Sequence, residues 1–164
     1  MKEFSIQDEQ KTQRIDAAFL KKLLEHVLDT EVDVAGWELG LNLVEPAEMA
    51  RVNQEFLQHE GSTDVITFDY NDPDFIEPGE STDEGVILRG EFFVCVADAV
   101  EQAEEFETSW QSEVVRYGVH AILHLLGFDD LTPEERTEMK LHENRIMESL
   151  EKGFDLSALE LRVA

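Results

Sequence analysis

The sequence predicts a single α+β domain over residues 1–164, with a sheet of roughly four strands and about five helices packed on it. A length of 164 residues suits one domain with its own core. Apolar residues make up 42% and charged residues 31% of the chain, a composition typical of soluble globular proteins. Apolar residues recur every three or four positions in some segments and every second position in others, which are the periods of helices and strands.

The first half of the chain predicts strands and helices in alternation. Apolar residues between positions 15 and 28 have helical spacing, whereas those from Trp37 to Leu43 alternate with Glu, Gly and Asn. Pro46 suits the first position of a second helix, where its missing N–H is no loss. In order, we expect a strand at 4–6, a helix at 15–28, a strand at 37–43, a helix at 46–60 and a strand at 63–68.

The second half predicts a loop, a strand and three helices. Thr132 and Glu135 form a capping box with Pro133 at the first helical position, so the last helix begins there. The order of the strands in the sheet does not follow from these patterns. In order, we expect an exposed acidic loop at 71–85, a strand at 86–96 with a bulge at Arg89 and Gly90, helices at 98–106, 109–126 and 133–152, and a C-terminal tail at 154–164.

The charge balance excludes one large class of proteins. Thirteen Lys and Arg stand against 38 Asp and Glu, which gives a formal net charge of −25. A chain of this charge does not hold nucleic acid or an anionic membrane by bulk positive charge. A polyanionic substrate would therefore have to bind at a local site, because the overall charge of the protein repels it.

The apolar segments predict a cytoplasmic protein with no membrane partner. The N-terminus lacks the apolar stretch of a signal peptide, and the longest apolar run, 92–97, is far shorter than the roughly 20 residues of a membrane span. Cys95, the single cysteine, lies in that run, so no intrachain disulfide can form. Its neighbours Val94 and Val96 indicate a buried strand, where a thiol acts as a small hydrophobe rather than a nucleophile.

Two histidines lie four residues apart in the most apolar predicted helix. His120 and His124 would share one helix face, with Cβ atoms about 5–6 Å apart, which suits two imidazole ligands of one metal ion. Gly127 follows where a helix would end in a left-handed turn, bringing the acidic residues after Phe128 back toward the rings. The alternative is two core histidines, but their apolar neighbours offer no hydrogen-bond partners for the ring nitrogens.

The spacing limits the kind of metal site without fixing its chemistry. Two histidines and a carboxylate would leave an open position, as in catalytic rather than structural sites. Metalloproteases with the pattern H-E-x-x-H place a Glu base directly after the first His, but position 121 is Ala. Peptide hydrolysis by that route therefore lacks its base.

The segment HAILHLLGFDD at 120–130 resembles the H-G-x-L-H-x-x-G-Y-D-H motif of the YbeY-type ribosomal RNA maturation factors. The resemblance extends to TDVITF at 63–68, similar to the family's T-[DN]-V-L-S-F strand, and to Gly90-Glu91, similar to its G-[DE] pair. The three segments occur in the family's order. The resemblance implies a single-strand-specific metallo-endoribonuclease that acts in 3′-end maturation of 16S ribosomal RNA and in ribosome quality control.

The resemblance also implies a set of site residues. The metal ligands would be His120, His124 and Asp130, where many members have His at the third position. The ion would be Zn²⁺ first, although the carboxylate ligand keeps Fe, Mn, Ni and Co open. A basic-loop arginine of many members falls on Leu57 here.

Two other side chains are candidates for the missing catalytic cation. Arg116 precedes His120 by one helical turn, and His59 is the basic side chain nearest to Leu57. An ordinary ion pair is the alternative for Arg116, and an exposed loop histidine is the alternative for His59.

Several functions stay open at this point. The leading hypothesis is the endoribonuclease, with ribosomal RNA, the small ribosomal subunit and its basic proteins as partners. A non-catalytic, metal-containing ribosome-assembly factor is the main alternative, because Leu57 falls at the place of the arginine and Asp130 at the place where many members have histidine. A hydrolase or oxygenase of small molecules is a third, because two histidines and a carboxylate also form non-haem iron sites.

Overall fold

One mixed sheet organises the part of the chain that the computed structural model describes, which is residues 2–57, 65–70, 86–129 and 131–161. The elements are β1 (Lys2–Asp8), α1 (Ala17–Thr30), β2 (Gly36–Val44), α2 (Pro46–Leu57), β3 (Val65–Asp69), β4 (Ile87–Cys95), α3 (Val96–Phe106), α4 (Trp110–Leu125), α5 (Pro133–Gly153) and a short 3₁₀ helix (Leu156–Leu159). Four strands and five α-helices agree with the predicted α+β class, and the predicted order of elements is confirmed within the described residues.

The strands lie in the order β1-β2-β4-β3. β1, β2 and β4 are parallel, with Phe4 opposite Leu39 and Leu39 opposite Gly90. β3 is antiparallel to β4, with Phe68 opposite Glu91. Parallel neighbours need a crossover, and α1 supplies it between β1 and β2.

Successive residues of β4 point to opposite faces of the sheet and belong to separate cores. Phe92 and Val94 pack in the larger core with α1, α4 and α5, whereas Cys95 packs in a smaller core with Met49 and Val52 of α2. The two faces are therefore covered by different helices. Cys95 is fully buried, as predicted.

The bulge predicted at Arg89 and Gly90 is wrong. Both residues pair in unbroken register with β2, and Gly90 also pairs with Asp69 of β3. The glycine has a packing reason instead, because a Cβ at position 90 would overlap the backbone oxygen of Phe68 and lie 3.2 Å from the Leu125 side chain.

The segment after α5 packs on the domain where the structure describes it. Leu156 and Leu159 of the 3₁₀ helix are buried, and Glu160 forms a β-bridge with Ile15. The sequence predicts only a C-terminal tail at 154–164, without these buried contacts. Residues 71–85, predicted to form the exposed acidic loop, lie outside the described residues, as do 63, 64 and 162–164. Among the helices described, none has the length and apolar character needed to cross a membrane.

Candidate functional site

α4 is buried over most of its surface and reaches solvent along one row. It begins with Ser109, whose side chain accepts a hydrogen bond from the Ser112 N–H. Ser112, Arg116, His120 and His124, at every fourth position, are all half-buried, while the residues between them are buried. Side chains four apart share a helix face, so the two histidines and Arg116 lie along one edge of α4, as their spacing predicts.

A buried carboxylate from α5 faces this row. Glu143 is 6% exposed, and its Oε2 lies 2.7 Å from Nδ1 of His120. Its Oε1 accepts a hydrogen bond of 3.3 Å from Arg116, which also donates to Oδ1 of Asn144 at 2.9 Å. Arg116 therefore forms the ion pair that the sequence leaves open as its alternative role, and it does so next to His120.

The contact with Glu143 determines which nitrogen of His120 carries the proton. A carboxylate only accepts hydrogen bonds, so Nδ1 carries the proton and donates it, and Nε2 keeps its lone pair in the neutral ring. The His120 side chain is 28% exposed, so the ring is not sealed in the core. Burial raises the pKa of Glu143, but the hydrogen bond from His120 and the positive charges of Arg116 and Lys140 outweigh it and hold that pKa below its usual range.

The chain reverses after α4 through a Schellman turn, as predicted from Gly127. Gly127 has a φ of 104°, the Gly127 N–H bonds to the His124 carbonyl, and the Phe128 N–H bonds to the Leu123 carbonyl, each at 3.1 Å. The Phe128 ring then packs against His142 of α5, with centroids 4.5 Å apart. This turn leads directly into the acidic pair at 129–130.

The complete predicted metal site cannot be assembled from the described residues alone. His120 and His124 are both described, but Asp130 lies outside the described residues. Within those residues, no group of three His, Cys, Asp or Glu side chains could hold a metal ion. The three-ligand set therefore stays a prediction. His120 fits it well, because its Nδ1 is already bound to a carboxylate.

Of the two candidates for the catalytic cation, Arg116 lies at a cavity and His59 is not described. Arg116, His120 and Glu143 line a cavity of about 530 Å³ between α4 and α5, and His124 is one turn farther along α4. His59 lies outside the described residues, and Leu57 is the last residue of α2.

Glu143 is a site residue that the sequence reasoning missed. It lies on the core-facing stripe of α5, with buried Met139 four residues before it and Ile146, Met147 and Leu150 after it. A carboxylate at a core position of an amphipathic helix requires a buried partner. That misfit in the apolar pattern is the feature that could have identified it.

Comparisons with known proteins find a family model and several relatives that match most of the chain. Residues 5–151 match the family model described as "Endoribonuclease YbeY". A protein of that name from Salinibacter ruber is 33% identical over 146 residues, covering 89% of this chain and 90% of the relative. Another from Chlorobium phaeovibrioides is 37% identical over 114 residues, covering 70% of this chain and 68% of the relative.

A solved structure shows the same fold. The solution structure of a Thermotoga maritima protein superimposes with a TM-score of 0.60 and 24% identity, covering 92% of this chain and 91% of the other. The match to the family model spans the sheet, the histidine pair and α5 almost to its end. The chain belongs to the YbeY endoribonuclease family.

Proposed function

We propose that this chain is a metal-dependent endoribonuclease that cleaves single-stranded ribosomal RNA. The observation that carries the proposal is the arrangement around His120, where buried Glu143 holds Nδ1 and Arg116 lies one turn away on the same edge of α4. The relatives that match over most of their length bear the name endoribonuclease. Together these support phosphodiester hydrolysis at this edge of α4.

His120, His124 and Asp130 would hold one divalent ion. The donor chemistry fits, because Nε2 of His120 keeps its lone pair and His124 lies on the same half-buried row. Two neutral imidazoles and one carboxylate suit Zn²⁺ first, with Fe, Mn, Ni or Co as alternatives. When bound, such an ion supplies positive charge that polarises a phosphate oxygen and makes a water molecule more acidic.

The protein's own side chains would orient the substrate and balance its charge. Glu143 fixes the ring of His120 by accepting the Nδ1 proton. Arg116, held by Glu143 and Asn144, presents a guanidinium beside the ring, where it stabilises negative charge that develops on the phosphate. His59 remains the second candidate for this role, because Leu57 falls where many members of the family have a basic-loop arginine and His59 is the nearest basic side chain in the sequence.

The net charge of −25 affects how such an enzyme binds its substrate. An acidic surface repels RNA, so binding depends on a local cleft, on screening by Mg²⁺, or on delivery by basic partners. We propose the small ribosomal subunit and its basic proteins as those partners, with action in the cytoplasm during 16S 3′-end maturation and quality control. Salt-sensitive binding of the chain to small subunits in a pull-down supports this, and a lack of binding contradicts it.

A cleavage assay tests the enzymatic proposal. The metal content of protein purified without chelators or a nickel column is measured first, and matched single-stranded and double-stranded RNAs are then compared as substrates. We expect metal-dependent products from the single strand alone. His124→Ala should abolish them, whereas the control His26→Ala should not, because His26 lies on α1 and its ring packs on Phe154.

The same assay separates the alternatives. A fully metallated, folded protein that gives no RNA products supports the non-catalytic assembly factor. Iron in the elemental analysis, together with turnover of small molecules and none of RNA, supports the hydrolase or oxygenase.

A further inference from the structure

Basic side chains outnumber acidic ones at the cavity beside His120, whereas in the pocket along β1 Lys2, Lys21 and Arg89 are matched by Glu3, Glu38 and Glu91. Three of the chain's 13 lysines and arginines, namely Arg116, Arg136 and Lys140, line the cavity of about 530 Å³ that also contains His120. This local excess runs against the overall balance, in which acidic residues outnumber basic ones by 38 to 13. Among the described residues at this cavity, three basic side chains stand against two acidic ones, Glu113 and Glu143.

Both carboxylates that line the same cavity have hydrogen-bond partners. Glu113 accepts a hydrogen bond of 2.8 Å from the Thr108 hydroxyl, and Glu143 is bound to Arg116 and His120. Both glutamates are buried. Among the described residues that line the cavity, the basic side chains outnumber the acidic ones.

The cations belong to two rows on facing helices. Arg136, Lys140 and Asn144 succeed one another at every fourth position of α5, so they share one face of that helix. Arg116 and His120 belong to the half-buried row of α4 on the other side of the cavity. The two rows are joined where Arg116 donates to Asn144. A ligand in the cavity would therefore contact Arg136 and Lys140 on one side and Arg116 and His120 on the other.

An aromatic ring completes the set. Phe106, at the end of α3, lines the same cavity and is 61% exposed, so one face of its ring is accessible to a ligand there. Cations that follow a phosphate backbone, together with an exposed aromatic ring on which a base can stack, are the combination by which proteins bind single-stranded nucleic acid.

We propose that this cavity is the subsite that holds the RNA strand next to the scissile phosphate. Arg136 and Lys140 bind backbone phosphates, and Phe106 stacks on a base. The inference rests on the proposed endoribonuclease function and identifies where its substrate lies.

The test measures RNA binding and its dependence on salt. A fluorescent single-stranded oligoribonucleotide is titrated with wild-type protein and with the double variant Arg136→Gln/Lys140→Gln, and anisotropy is recorded at several NaCl concentrations. The matched control is Arg145→Gln/Lys152→Gln, which removes the same charge from the same helix. Those two side chains pair with Glu31 and Glu148 and do not line the cavity.

We expect the double variant to bind more weakly and to depend less on salt. The slope of log K against log [NaCl] should flatten by about 1.4, which is roughly 0.7 for each phosphate that the protein no longer neutralises. The control should keep the wild-type slope. Phe106→Ala should weaken binding about 5- to 140-fold with the slope unchanged, because stacking is not ionic. In cleavage, KM should rise more than kcat falls for both cavity variants.

The outcomes distinguish this inference from the function on which it rests. If wild-type protein cleaves RNA but the cavity variants bind like the control, the subsite is wrong and the nuclease stands. If wild-type protein binds RNA through these residues and never cleaves it, the subsite stands and the nuclease proposal fails. If wild-type protein neither binds nor cleaves RNA, both are wrong.

Discussion

A carboxylate that accepts a hydrogen bond from one imidazole nitrogen fixes the tautomer in which the other nitrogen carries the lone pair, and Glu143 does this for His120. The histidine pair and its shared edge of α4 were predictable, because helical spacing depends only on neighbouring residues. Glu143 was not identified, because its contact joins residues 23 positions apart and depends on how α4 and α5 pack together.

Glu143→Gln should lower metal affinity. Glutamine still accepts a hydrogen bond from His120 but carries no charge, so the ring becomes a weaker ligand. We expect a loss of about 10- to 100-fold in affinity for Zn²⁺ or Co²⁺, measured by competition with a chromogenic chelator. The control is Glu113→Gln, which alters another buried glutamate of the same cavity that bonds to Thr108. Equal affinities in the two variants would contradict the role given to Glu143.

Cys95 should be unreactive in the folded protein. Burial raises the pKa of its thiol to about 11 from an ordinary value of 9.0, which lowers the thiolate fraction about 100-fold near neutral pH. We expect a chromogenic disulfide reagent at pH 8 to modify the native chain very slowly and the urea-unfolded chain at once. Since the thiolate forms only as the pH approaches 11, the native rate should still be rising above pH 9. A native rate equal to the unfolded rate would show that the thiol is accessible.

At the scale of elements, periodicity predicted the type and order of the helices and strands but not how the strands pair. Pairing brings β2 beside β4, although β3 lies between them in the chain, and no local pattern encodes that choice. The bulge predicted at Gly90 was wrong for the same reason. Glycine is required there by Phe68 of β3, a neighbour that no local pattern reveals. The packing of Leu156 and Leu159 was missed because a four-residue helix is too short to show a period.

Gly90→Ala should destabilise the fold strongly. The new methyl group would collide with the Phe68 backbone oxygen and crowd Leu125, so β3 or α4 must shift. Overpacking of this kind costs about 1–3 kcal/mol, which urea unfolding followed by circular dichroism can measure. Gly40→Ala is the control, because the nearest atom to its Cβ is the Ser5 hydroxyl oxygen at 3.6 Å, an ordinary contact. If the two variants unfold at the same urea concentration, close packing is not why residue 90 is glycine.

At the scale of the whole molecule, the net charge of −25 lowers the stability of the folded state. Like charges repel in the compact state more than in the unfolded chain, so folding is opposed by self-repulsion. Attractive pairs such as Lys2 with Asp29 are exposed, and each contributes only about 0–1 kcal/mol. Repulsion among the excess carboxylates therefore dominates the response to salt.

Added salt should consequently stabilise this protein. Raising NaCl from 0.01 to 0.15 M shortens the screening length from about 30 to about 8 Å, which weakens long-range repulsion more than close ion pairs. We expect the urea midpoint to rise at constant m-value, with a gain on the order of 1 kcal/mol, comparable to a few surface charge interactions. The experiment is done in chelator, so that metal binding does not contribute, and repeated in KCl, which should act alike because screening depends on ionic strength alone. A midpoint that stays constant or falls would mean that attractive ion pairs outweigh the repulsion among carboxylates. The acidic surface would then not destabilise the folded protein.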